Sequence, residues 1–236
     1  MNPSRTAWQK LTERVLSIAE IRNTDRVAME KYHVHSLVLM ENAALGCVHW
    51  LTSRFREPQA ALILCGRGNN GGDGLAIARH LRALGWFCRV VVLGPIECIS
   101  ADARANLDIL LAAGGRDVVI WDRVNSPSLQ DWLESSTIIV DAMLGTGAIG
   151  DPKPPLNDWI RGANAMRAFR VAIDIPTGWD AETGVSGDPT FQAHATLTFL
   201  AKKPAMVLAH ASECLGELAI LPIGIPLEQI EELLID

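Results

Sequence analysis

Short blocks of consecutive apolar residues recur along this chain. Each is followed by a turn and then by a stretch whose apolar positions return every three to four residues. Ala60–Leu64, Trp86–Leu93, Val118–Trp121, Thr137–Val140, Arg170–Ile173, Ala195–Leu200 and Leu218–Leu221 read as strands. Leu75–Leu84, Ser100–Ala113, Ser128–Ser135 and Leu156–Arg167 read as helices between them, with Gly94-Pro95 and Gly114-Gly115 as stops. Continuous apolar strands alternating with amphipathic helices predict a parallel sheet covered on both faces. A helix pair precedes the first strand. Ser17-Ile18-Ala19-Glu20 has capping-box spacing and opens a helix to about His33, carrying Ile21, Val27 and Ala28 on one face. Ser36 is the predicted cap of a second helix to about Phe55, before Glu57-Pro58 breaks the chain. The pair packs on the sheet or forms a dimer contact; the pattern allows both.

Composition narrows the picture. The 236 residues are 49% hydrophobic, enough for one substantial core, and no linker or repeat divides them, so residues 1–236 are expected to form one domain. A net charge of −6 without a Lys/Arg run argues against nucleic acid and anionic membrane as partners. The longest apolar stretch, Leu37–Leu51, is interrupted by Glu41, Asn42 and His49 and falls short of the ~20 residues of a membrane span. The N-terminus mixes Arg5, Lys10, Glu13 and Arg14 without the apolar core of a signal peptide. Five scattered cysteines (47, 65, 88, 98, 214) fit free thiols in a reducing cytoplasm, not a disulfide frame. The six histidines read as structural or surface groups, and no Ser-His-Asp or Cys-His arrangement is evident.

The candidate chemistry lies in three segments after three strands. The first is Gly68-Asn69-Asn70-Gly71-Gly72-Asp73, the second runs from Asp141 through Gly145-Thr146-Gly147-Ala148-Ile149-Gly150-Asp151, and the third is Asp174-Ile175-Pro176-Thr177-Gly178. In a parallel sheet these strand ends open on one edge, where ligands bind at a reversal of strand order. Gly66, Gly68 and Gly71 satisfy a dinucleotide fingerprint, but the second strand ends Leu93-Gly94-Pro95 without the acid that holds a ribose, which disfavours an ordinary NAD-dependent oxidoreductase. A phosphate loop ending in Gly-Lys-Ser/Thr is absent. Asp141, at a buried strand end, requires a hydrogen-bonding partner or a cation. Asn70, Asp141 and Thr177 together offer oxygen ligands with one negative charge, suited to a hard monovalent or divalent ion. Asp180 reads as the cap of a turn at Thr183-Gly184.

Gly-Asn-Asn-Gly-Gly-Asp-Gly, Asp-Ala-Met-Leu-Gly-Thr-Gly and Asp-Ile-Pro-Thr-Gly, in this order, resemble the signature segments of the NAD(P)H-hydrate epimerase family. Arg22-Asn23-Thr24-Asp25 and Leu39-Met40-Glu41-Asn42-Ala43 are similar to its N-terminal helix pair. The ending Gly216-Glu217-Leu218, followed by Ile223-Gly224-Ile225-Pro226, extends the resemblance over about Ile18 to Pro226. The resemblance implies a Rossmann-like three-layer α/β/α sandwich with a mainly parallel central sheet, a homodimer, and interconversion of the R and S epimers of hydrated NADH and NADPH (NADHX and NADPHX). A separate dehydratase would consume the S form. It also implies a potassium ion at Asn70, Asp141 and Thr177, and a substrate against Asn69, Asn70, Gly71, Gly72, Asp73, Gly145, Thr146, Gly147, Ala148, Ile149, Gly150, Asp151 and Asp174. Thr177 stands where the family usually has Ser, Arg67 where Pro or Lys is common, and Ala44 where Gly is usual.

Epimerisation at a carbon bearing a hydroxyl beside a ring nitrogen calls for a group that protonates the departing hydroxyl and orients the returning water. A carboxylate with a raised pKa in a dry pocket suits both steps. Asp174 is the first candidate and Asp73 the second. The competing class is a non-catalytic nucleotide-binding or scaffold module of the same fold, which retention of Asn70, Asp73, Asp141 and Asp174 together disfavours.

Overall fold

In the computed structural model, which describes residues 6–115, 117–121, 129–148 and 150–235, every apolar block becomes a strand. The strands are β1 (Ala60–Cys65), β2 (Phe87–Val92), β3 (Val118–Ile120), β4 (Ile138–Ala142), β5 (Phe169–Ile173), β6 (Ala195–Phe199) and β7 (Glu217–Leu221). They form one seven-stranded sheet in the order β3-β2-β1-β4-β5-β6-β7, with every neighbouring pair parallel. The helices are α1 (Ala7–Leu11), α2 (Ile18–Glu30), α3 (Ser36–Arg54), α4 (Asn69–Ala83), α5 (Ala101–Ala112), α6 (Leu129–Glu134), α7 (Leu156–Ala165), α8 (Ser212–Leu215) and α9 (Leu227–Ile235).

The period of two along a strand creates the three layers. Ala61, Ile63 and Cys65 of β1 pack with Cys47 and Leu51 of α3, Leu75 and Ile77 of α4 and Leu107 of α5. The alternate residues Leu62 and Leu64 meet Leu133 of α6 and Trp159, Ile160 and Ala163 of α7 on the opposite face. These side chains are almost fully buried, and each large one contributes roughly 1.5–3 kcal/mol relative to exposure. The Rossmann-like α/β/α sandwich is therefore the observed fold. From β1 the chain winds outward to β2 and β3, then returns to place β4 on the other side of β1. Strand order reverses at the β1–β4 seam, and the turns leaving these two strands part there to open a crevice.

Three local features differ from the sequence pattern. Helix α4 starts at Asn69, not Leu75, so the glycine-rich segment is largely its first two turns. Glycine's poor helix propensity hides that start. Its smallness explains why it is used: a Cβ on Gly66 would lie 1.7 Å from the Met143 carbonyl oxygen, and one on Gly71 2.0 Å from the Gly66 carbonyl oxygen. Ser36 is the first residue of α3 and His35 is its N-cap, without a side-chain capping bond, whereas Ser17 and Glu20 form the expected capping box of α2. Helices α1 and α9 were not foreseen. They join through Leu11 and Ile230 in a cluster that includes Leu39, Leu200 and Ile223. Gln229 of α9 donates to the Thr24 carbonyl at 2.7 Å, tying the C-terminal helix to α2. The helix expected over Ser128–Ser135 appears as α6; Ser128 lies outside the described residues.

Candidate active site

The three segments converge on one cavity of about 680 Å³ at the C-terminal edge of the sheet. Gly145 measures how closely. A Cβ placed there would lie 3.3 Å from Asn70 Cβ and 3.8 Å from Asp174 Oδ2. Asn69, Asn70 and Asp73 of α4, Gly145, Thr146, Gly147 and Ala148 after β4, and Asp174 after β5 all line the cavity. Gly71, Gly72, Gly150 and Asp151 are not among its lining residues. Gly71 is spent on the contact with Gly66, and a Cβ on Gly72 would meet Met40 Cε at 2.4 Å. The Asp151 carboxylate accepts from the Asp188 amide at 2.9 Å. Ile149 lies outside the described residues.

Beneath the cavity sits a buried network. Asp141, fully buried on β4, accepts at Oδ2 from the Thr177 amide (2.7 Å) and at Oδ1 from the Thr177 hydroxyl (2.7 Å) and the Met143 amide (3.1 Å). The Thr177 hydroxyl accepts from the Leu144 amide at 3.0 Å, and Asn70 Nδ2 donates to the Leu144 carbonyl at 3.1 Å. All three strand ends are thereby joined. Burial outweighs these bonds and pushes the Asp141 carboxyl up to about 6. Asn70 Oδ1 is buried and has no hydrogen-bond partner among the described residues. An orphaned amide oxygen beside a buried carboxylate and a threonine is an oxygen-only donor set, which fits a hard cation. Among the described residues no group of three His, Cys, Asp or Glu side chains could hold a metal ion, so transition-metal ligation is not what this arrangement suits.

Asp174 carries a positive φ of 64°, an uncommon conformation for a residue other than glycine and one that aspartate tolerates better than most. Its amide still donates to the Leu197 carbonyl at 2.8 Å. Its carboxylate accepts from Lys203 Nζ at 2.7 Å and from the Thr198 hydroxyl at 3.3 Å. Lys203 is 0% exposed and also donates to Thr198 Oγ1 and to the Phe199 carbonyl (3.1 Å). Sequence reasoning missed this lysine, which is separated from Asp174 by 29 positions and stands in no motif. It also missed Asp25, on α2, as a cavity residue. Arg22, one turn earlier on α2, donates to the Thr146 carbonyl at 3.1 Å and closes that wall.

Four aspartates, Asp25, Asp73, Asp102 and Asp174, thus line the cavity together with one buried ammonium. Burial, then the charge of Asp174, then that of Asp25, hold the Asp73 carboxyl well above the usual carboxylate range. Burial and Asp174 push Asp25 up to about 6, against the pull of Lys203. The sequence pattern put Asp174 first as the proton-holding group. The geometry gives Asp174 a cation partner, and it is Asp73 whose surroundings favour the protonated form. Asp180 accepts from the Glu182 and Thr183 amides at 2.8 and 3.0 Å, so it caps its turn as expected.

Comparison with known proteins follows the same outline. The profile of the family described as YjeF-related protein N-terminus matches residues 36–205. The NAD(P)H-hydrate epimerase of Rhodopirellula baltica is 38% identical over 221 residues, covering 92% of this chain and 87% of that protein. The NAD(P)H-hydrate epimerase of Pirellula staleyi is 32% identical, covering 94% of this chain and 97% of that protein. A bifunctional NAD(P)H-hydrate repair enzyme of Thermanaerovibrio acidaminovorans is 38% identical, but this chain spans only 40% of its length. The crystal structure of yeast ynu0 superimposes with a TM-score of 0.71 at 23% identity, covering 81% of this chain and 82% of that one, and shares the fold.

Proposed function

We propose, from the premise that this chain belongs to the NAD(P)H-hydrate epimerase family, the YjeF-related N-terminal proteins, that its cavity interconverts the R and S epimers of NADHX and NADPHX. The activity is that of an isomerase in nicotinamide-cofactor repair. The observation that carries the reading is that Asp25, Asp73 and Asp174 line one cavity at the reversal of strand order, with Asp174 bonded to buried Lys203. In the reaction the bond between the ring carbon and its hydroxyl breaks, the electron pair leaves with oxygen, and the ring nitrogen's lone pair closes a C=N bond. Asp73, held protonated, supplies the proton that lets the hydroxyl leave as water. Asp174, whose carboxylate accepts from Lys203 Nζ, takes a proton from the water that adds to the other face, and exchange with solvent water then returns both aspartates to their starting states. The resulting ring cation is favoured by the surplus negative charge of the cavity. The amides and hydroxyl of Gly145-Thr146-Gly147 and the N-terminus of α4 would receive the phosphates.

Asn70, Asp141 and Thr177 would hold potassium, whose charge would compensate the buried Asp141 carboxylate. The unpartnered Asn70 Oδ1 supports this. Exposed Leu37, Val38 and Leu45 on α3 and Ile109 on α5 support a homodimer, checked by light scattering. No helix among the described residues is long and apolar enough to cross a membrane. Free Cys47, Cys65 and Cys88, all buried, are in keeping with a reducing cytoplasm, and a dehydratase would consume the S epimer. The test is to mix R-NADHX with the protein and follow the epimer ratio by chromatography, with and without potassium. Acceleration over the spontaneous rate is expected, and its absence would overturn the reading. Asp174→Asn should abolish most of the rate while substrate binding stays measurable by calorimetry.

A further inference from the structure

We propose that Arg67 receives the 2′-phosphate of the substrate's adenosine and so makes NADPHX the preferred substrate, an inference that rests on the epimerase reading of the site. When a pyrophosphate lies over the glycine turn after β1, the adenosine ribose reaches the end of β2. An acid there accepts the ribose 2′-hydroxyl, whereas an arginine accommodates a 2′-phosphate. In this chain β2 continues as Leu93-Gly94-Pro95 without a carboxylate. The neighbouring segment fills the place. Arg67 lays its stem over Gly94: a Cβ on Gly94 would lie 2.7 Å from Arg67 Cδ, 3.2 Å from Cγ and 3.3 Å from Nε. Gly94 has a φ of +125°, so bare backbone receives the stem.

The backbone around Arg67 is tied at two points. The Ser100 amide donates to the Arg67 carbonyl at 2.8 Å, and the Leu93 amide donates to the Cys65 carbonyl at 2.8 Å. The head is free. Arg67 is exposed, and among the described residues its guanidinium has no hydrogen bond and no ion pair. Arg26, Arg79, Arg104 and Arg161, by contrast, are each paired with a carboxylate. Arg67 is not itself a lining residue of the cavity, but the next two residues, Gly68 and Asn69, are, which places Arg67 at its rim on the β2 side. Asp102 lines the same end from α5 and Glu97 precedes it, yet neither neutralises Arg67. An anchored stem with an unpaired guanidinium, where a ribose acid would otherwise stand, is a recognition element for a phosphate dianion.

The experiment compares kcat/KM for R-NADPHX and R-NADHX in the parent protein and in Arg67→Ala and Arg67→Glu. The parent should favour NADPHX, and Arg67→Ala should lower the ratio roughly ten- to a hundredfold, the span of one or two charge-assisted hydrogen bonds. Arg67→Glu should lower it at least as far. A ratio that stays put, even if both substrates slow together, would overturn the proposal. Calorimetry with 2′,5′-ADP and 5′-ADP gives a readout independent of turnover. The parent should bind 2′,5′-ADP more tightly, and Arg67→Ala should erase the difference; equal binding by the parent would also overturn it. A parent that epimerises neither substrate but still prefers 2′,5′-ADP would defeat the epimerase reading and leave the anion site standing.

Discussion

Lys203→Met removes the one ammonium buried in the cavity while keeping most of the side chain's volume. The structure sets the size of the effect. Lys203 is 0% exposed and its side chain donates to Asp174, Thr198 and Phe199, while the Asp174 side chain is only 17% exposed. Deleting one partner of a buried pair leaves the other charge uncompensated and costs about 3–5 kcal/mol. At about 2–4 °C per kcal/mol for a chain of this size, the melting temperature should fall by roughly 6–20 °C. The epimerisation rate should fall as well, because the Asp174 carboxylate loses the ammonium that orients it. A double-mutant cycle separates the pair from simple packing loss. Lys203→Met with Asp174→Asn should be more stable than Lys203→Met alone by about 1–3 kcal/mol, since the stranded charge is gone. The assays are chemical denaturation of all four proteins of the cycle and the pH profile of epimerisation for the single lysine variant. A loss under 1 kcal/mol, or no recovery in the double variant, would refute the buried-pair account.

Asp73→Asn should abolish most epimerisation yet stabilise the fold at neutral pH. The folded Asp73 carboxyl sits well above its unfolded value of about 3.9, so above about pH 4 the unfolded chain releases a proton that the folded chain keeps. Parent stability therefore falls as pH rises from about 4, with Asp25, pushed up to about 6, adding the same sign between about pH 4 and 6. The advantage of the asparagine variant should grow over that range in thermal melts, and a pH-independent difference would contradict it. Thr177→Ala removes one donor to Asp141 and the acceptor for the Leu144 amide, which should cost about 1–3 kcal/mol and suppress any potassium-dependent rise in melting temperature. Thr177→Ser keeps the hydroxyl and should retain both; a serine variant as weak as the alanine one would show that the methyl, not the hydroxyl, matters.

The strand ends were legible because a buried parallel strand needs an unbroken apolar run, and the polar residue that ends the run marks the edge where ligands bind. Asp141 and Asp174 were found that way. The start of α4 was not, because its glycines are placed for backbone contact and helix propensity points away from them. Lys203 was invisible for another reason. The second of two adjacent lysines, Lys202-Lys203, ahead of Pro204 looks like a solvated loop residue, and only the return of the chain after β6 brings it beneath Asp174. Asp25 resembled the polar face of an amphipathic helix, and that face covers the cavity. His35 displaced Ser36 as N-cap by one residue, a shift that cap chemistry alone does not resolve.

The backbone-to-backbone approach of Gly66 to Met143 and of Gly71 to Gly66 has an evolutionary consequence. A cavity floor made of main chain offers no side chain that substitution could enlarge, shrink or recharge, and any Cβ there collides at once. That floor is therefore frozen for descendants of this sequence. Variation in what they accept has to enter around it: through Arg67 at the rim, α2 with Arg22 and Asp25, α3 with Met40, and the segment after β6. Divergent specificities on this scaffold should be written in those walls over an unchanging floor.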